Sequence, residues 1–76
     1  MTAIAERLQR LISDHNLGNG NPINEDALLY EDLGLDPLDC IDLIMMMETT
    51  LERNIALDGV DDLKTFNALV RFITAQ

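Results

Sequence analysis

The tetrapeptide Asp36-Pro37-Leu38-Asp39 fixes the start of one helix. Proline has no backbone N–H and a φ held near roughly −65°, so it is at home in the first turn of a helix and nowhere further in. It also pushes the residue before it into extended geometry, which is the conformation of an N-cap. Asp36 fits that place, because its carboxylate can accept the orphan N–H groups of the first turn. Asp39 adds negative charge at the positive end of the helix dipole. The helix is predicted to run to about Arg53, with Asn54 beginning a break.

Two further helices flank it. Ile4, Leu8, Leu11 and Ile12 recur at i, i+4, i+7 and i+8, the stripe of an amphipathic helix. Thr2 is its expected N-cap and Glu6 suits its first turn. Asn16-Leu17-Gly18 followed by Asn19-Gly20-Asn21-Pro22 ends it, with Gly18 expected to take the left-handed cap. Residues 17–35 read as a long ordered loop that tucks Ile23, Ala27, Leu28, Leu29 and Leu33 against the core. A short helical turn is expected at Val60 to Leu63. A last helix opens at Thr65 and buries Phe66, Leu69, Val70 and Ile73. No strand pattern competes, and no repeat, linker or low-complexity tract divides the chain. The expected fold is a small all-α bundle of three main helices plus one short one, a single domain over residues 1–76.

Charge narrows the function. The 76 residues hold 14 acids against 5 Lys and Arg, a net charge of −9, so phosphate backbones and anionic lipid should repel the chain. Nucleic acid and membrane are therefore not expected partners, and self-repulsion favours a monomer. The longest wholly apolar run, Leu43 to Met47, is far too short to span a membrane. MTAIAERLQR lacks the unbroken apolar stretch of a signal peptide, which makes a cytoplasmic protein the expectation. Cys40 stands alone, so neither a disulfide framework nor a zinc cluster is available.

Placing residues 38–52 at 100° steps separates two faces. Cys40, Leu43, Ile44, Met47 and Leu51 share the core side. Leu38, Asp39, Asp42, Met45, Met46, Thr49 and Glu52 share the other, with Glu48 at the flank. Residues 31–52 carry seven acids (Glu31, Asp32, Asp36, Asp39, Asp42, Glu48 and Glu52) and no base. A face mixing acids with Leu38, Met45 and Met46 can steer a basic partner by its field and hold it by apolar contact.

Glu31-Asp32-Leu33-Gly34-Leu35-Asp36-Pro37-Leu38-Asp39, continuing into Cys40-Ile41-Asp42-Leu43-Ile44-Met45, closely resembles the acyl carrier protein signature, in which E-D-L-G-x-D-S-L-D opens the second helix. The resemblance extends over almost the whole chain: the first helix, the long loop, and Thr65-Phe66 with Leu69, Val70, Phe72 and Ile73. It implies a carrier fold whose D-S-L serine holds phosphopantetheine as a phosphodiester, and partner enzymes that approach through basic patches. By position, the family's partner-contact roles fall on Asp36, Leu38, Asp39, Asp42, Met45 and Glu48.

The departure from that signature is Pro37, which occupies the attachment position and has no hydroxyl. No other residue is a ready substitute. Ser13 lies on the polar side of the first helix, Thr49 and Thr50 lie three turns beyond Pro37, and Cys40 falls on the core stripe, where a thiol is expected to be buried with a raised pKa. The lone His15 has no partner at triad or metal spacing, and is expected at the surface near a helix end. Asp58-Gly59-Val60-Asp61-Asp62 lacks the ligand spacing of a calcium loop. No catalytic constellation or metal site can be named, so an enzyme is not expected.

The expected function is a non-enzymatic acyl-carrier-like protein without phosphopantetheine that binds enzymes of fatty-acid, polyketide or related acyl metabolism. Two alternatives stay open. One is a working carrier with a non-standard attachment site or a substituted Pro37. The other is a non-covalent acyl-chain binder, its chain lying among Cys40, Ile44, Met47, Phe66, Leu69 and Val70.

Overall fold

The computed structural model describes residues 3–20 and 22–76. Among the described residues three α-helices carry the fold: α1 (Ala3–Asp14), α2 (Pro37–Leu51) and α3 (Phe66–Thr74), with 3-10 turns at Gly18–Gly20 and Val60–Asp62. The expected cap at Thr2 lies outside the described residues. In α1, Leu8 and Ile12 are fully buried while Ile4 and Leu11 are half-buried at the rim, and Ala5 joins the core between them. Helix α1 packs on both α2 and α3.

The end of α1 departs from expectation by two residues. Asn16, at φ 57°, is the left-handed terminator. The Leu17 N–H reaches back to the Ile12 carbonyl at 2.9 Å and the Asn16 N–H to that of Ser13 at 3.1 Å, the paired bonds of a Schellman motif. Gly18 is left-handed as well, at φ 83°, but for packing: a Cβ there would stand 3.0 Å from Ile12 Cγ2.

The described part of the loop between 17 and 35 is held by hydrogen bonds to its backbone rather than by a periodic face. The Gln9 side chain donates to the Ile23 carbonyl at 2.9 Å. Further on, Leu28 and Thr65 form an isolated antiparallel bridge. Around it the Leu29 N–H donates to the Lys64 carbonyl at 2.8 Å, Phe66 to Ala27 at 2.9 Å and Asn67 to Glu25 at 3.1 Å. Thr65 also caps α3, its Oγ1 accepting the Ala68 N–H. This register buries Ala27, Leu29, Leu33 and Leu35, half-buries Ile23 and leaves Leu28 exposed. Leu28 was expected inside. It is turned out because its neighbours Ala27 and Leu29 both face the core.

All four apolar residues expected from α3, Phe66, Leu69, Val70 and Ile73, are buried. They belong to one core with Cys40, Leu43, Ile44 and Met47 of α2 and with Ile55 and Val60 of the following segment.

Candidate functional site: the outer face and head of α2

Helix α2 begins where the sequence places it. Asp36 is its N-cap, in extended geometry at φ −115° and ψ 173°, and Pro37 is its first residue. The cap is reciprocal: each aspartate's carboxylate accepts the other's backbone N–H, forming a capping box. The helix closes at Leu51, two residues short of expectation, because Glu52 turns left-handed at φ 55°. The Glu52 and Arg53 N–H groups both return to the Glu48 carbonyl.

The two faces separate largely as the 100° steps require. Cys40, Leu43, Ile44 and Met47 are buried; Leu51 is half-buried at the end of the stripe. On the other side Leu38 is 70% exposed and Met45 53%, with Asp42 and Thr49 exposed in line with them. Positions 38, 42, 45 and 49 form one stripe at i, i+4, i+7 and i+11, so Leu38 and Met45 flank Asp42 about 10 Å apart along the axis. Met46, expected outside, is half-buried.

Three of the six proposed contact residues have internal duties. Asp36 and Asp39 are tied into the cap, and Asp39 is half-buried. Glu48, also half-buried, accepts the Ile55 N–H at 2.7 Å and so fastens the segment after α2 back onto the helix. Sequence periodicity gave no sign of this bond, since Ile55 lies beyond the helix. Of the six, Leu38, Asp42 and Met45 make no such side-chain bond among the described residues. Tyr30 is a further residue near the head of α2 that the sequence did not single out. Its half-buried phenol has a raised pKa, chiefly through burial and then through the nearby charges of Cys40, Asp61, Glu31 and Asp36.

A phosphodiester at the head of α2 requires an accessible oxygen nucleophile. Pro37 is exposed there, and its ring carries none. One turn on, Cys40 is 1% exposed, and burial, with the charges of Asp39 and Asp36, pushes its thiol up to about 11. Thr49 and Thr50 donate their hydroxyl protons to the Met45 and Met46 carbonyls, about 18 Å along the axis from Pro37. Ser13 is exposed in the last turn of α1. The side chains at the head of α2 therefore do not fit an attached phosphopantetheine.

The six residues considered for a non-covalent acyl chain, Cys40, Ile44, Met47, Phe66, Leu69 and Val70, are all members of the continuous core. Two surface grooves among the described residues, of about 320 Å³ beside α1 and about 290 Å³ beside Pro22, are lined by none of them. His15 is exposed at the end of α1, its Nδ1 3.0 Å from the Leu11 carbonyl. Among the described residues no three His, Cys, Asp or Glu side chains converge as a metal site, and no helix is long and apolar enough to cross a membrane.

Residues 2–73 match the family described as "Phosphopantetheine attachment site". The chain is also 34% identical over 73 residues to the acyl carrier protein of Sinorhizobium fredii (strain NBRC 101917 / NGR234). It shows the same identity over the same length to acyl carrier protein AcpP of Rhizobium meliloti (strain 1021); each alignment covers 96% of this chain and 94% of the relative. With the helix order, the capped second helix and the sequence match in agreement, the chain belongs to the phosphopantetheine-attachment family of acyl carrier proteins.

Proposed function

We propose that this protein is a non-enzymatic member of the carrier family that has given up the prosthetic arm and acts by binding enzymes of fatty-acid, polyketide or related acyl metabolism. The observation that carries this is the stripe Leu38–Asp42–Met45, two exposed apolar side chains about an acid, on a helix headed by a residue with no hydroxyl. The fitting partner surface is basic and carries apolar recesses on either side of its cation. The field of a −9 chain draws such a surface in, and Leu38 and Met45 supply contact that salt does not screen. Asp36, Asp39 and Glu48 add to the field, while their carboxylates stay engaged within the fold.

The test is binding to immobilised, purified acyl-metabolism enzymes in low and high salt. Binding should weaken with salt, be lost with Asp42→Lys, and fall at least tenfold with Met45→Ala. Failure to bind any enzyme of a broad panel, or binding that Asp42→Lys leaves intact, refutes the proposal.

The family match favours one second reading, a working carrier. It requires a substituted Pro37 or another acceptor, and the burial of Cys40 and the engaged hydroxyls of Thr49 and Thr50 weigh against the latter.

A further inference from the structure

Sulfur is where a mild oxidant attacks a protein first, and along α2 the sulfur atoms are graded by exposure. Met45, Met46 and Met47 are consecutive, so each stands about 100° around the helix from the next. Met45 is 53% exposed, Met46 is half-buried and Met47 is wholly buried. The thiol of Cys40 is shut into the same core as Met47. Met1 lies outside the described residues. We propose that Met45 is a reversible oxidation site: a peroxide converts its thioether to the sulfoxide, and that oxygen releases a partner from the Leu38–Asp42–Met45 stripe. The inference rests on the proposed docking role of the stripe and adds its regulation.

Position selects Met45 over the other sulfurs of α2. Hydrogen peroxide is uncharged, so the field of a −9 chain does not hold it off as it would an anionic oxidant. Thiolates are its faster target, but Cys40 is buried. No polar side chain is buried among the described residues, so a sulfoxide on Met47 would be a polar group in an apolar core.

In the step, a lone pair of the Met45 sulfur forms a bond to one peroxide oxygen as the O–O bond breaks. The other oxygen leaves as water, and the electron pair that the sulfur gives up reduces the peroxide. A methionine sulfoxide reductase with a dithiol reverses the change: the oxygen leaves as water and the dithiol closes to a disulfide. The oxidised side chain is polar and chiral, so the apolar contact on one flank of Asp42 is lost while the charge of the face stays the same.

The experiment treats the folded chain with hydrogen peroxide and maps its peptides over time. Samples oxidised at Met45 are melted by circular dichroism. They are also tested, before and after the reductase, on an immobilised enzyme that holds the reduced chain. Oxygen should appear on Met45 ahead of Met46, and on Met47 and Cys40 only in urea. Binding should weaken about tenfold, with its salt dependence and the melting temperature unchanged, and the reductase should restore it. Met45→Leu, compared only with itself, should lose no binding to peroxide. Oxygen on Met47 or Cys40 of the folded chain as early as on Met45 overturns the inference. So does a Met45-oxidised chain that binds as before, or a loss that the reductase leaves in place. If no enzyme holds the reduced chain, the docking proposal is what fails, and this regulation falls with it.

Discussion

Asp36 and Asp39 hold each other's backbone: the Asp39 N–H donates to Asp36 Oδ1 at 2.8 Å, and the Asp36 N–H donates to Asp39 Oδ2 at 3.1 Å. Two acids on a face that otherwise suggests partner contact are thus parts of the helix start. Their loss should register first in stability. Asp36→Ala is expected to destabilise by about 1–2 kcal/mol, the typical effect of deleting an N-cap, while Asp42→Ala stays within about 0.5 kcal/mol of the natural chain. Urea denaturation of the two variants checks this, and equal effects would dissolve the distinction between capping and surface acids.

Glu48 offers a second separation of roles. Its carboxylate accepts the Ile55 N–H at 2.7 Å, so Glu48→Ala leaves a partly buried donor without its acceptor and should cost about 1–3 kcal/mol. Glu48→Gln keeps a carbonyl oxygen in reach and should recover most of that loss. Chemical denaturation reads both variants, and an alanine variant as stable as the glutamine one would show the bond to be idle.

Cys40 makes the fold sensitive to alkali. Its thiol rises from an ordinary 9.0 to about 11, so the unfolded chain loses this proton first as pH climbs. Below about pH 9 both states hold the proton and stability is indifferent to it. Between about 9 and 11 only the folded state holds it, and stability falls as pH rises. Tyr30, also raised, acts in the same direction. Melting temperatures taken from pH 8 to 11 should drop for the natural chain and drop less steeply for Cys40→Ala. At pH 8 the native thiol should also resist an alkylating reagent that labels it readily in urea.

Phe66 tests the core. It is fully buried at the first position of α3 and belongs to the same core as Ile44 and Met47. Phe66→Ala should cost about 3–5 kcal/mol, a large share of what a chain this size has. The expected outcome is a broadened or absent thermal transition by calorimetry.

How much was legible in the sequence depended on how local the cause was. The start of α2 needed only Asp36, Pro37 and Asp39, and the cap of α3 only Thr65 and its apolar successors; both lie where their chemistry puts them. The exposed stripe of Leu38, Asp42 and Met45 followed from helical geometry alone. The end of α1 was misassigned because asparagine shares the left-handed region with glycine, and Asn16 came first along the chain. In the long loop no period distinguishes Leu28 from Leu29 and Leu35. Which of them faces inward is set by pairing with residues 64–67, far along the chain. The engagement of Glu48 was hidden for the same reason, since its partner belongs to the next segment.

The pairing of residues 25–29 with residues 64–67 has a consequence for motion. A loop between α1 and α2 would ordinarily open by itself. Here the amide hydrogens of Leu29, Phe66 and Asn67 all lie in bonds that bind the loop to the entry of α3, and Phe66 is also a core anchor. Detaching the loop therefore means lifting the start of the last helix, so the two segments should exchange their amide hydrogens with solvent as one cooperative unit. Leu29 of that unit also accepts the Leu35 N–H at 3.0 Å, so the unit reaches to the residue directly before the Asp36 cap of α2.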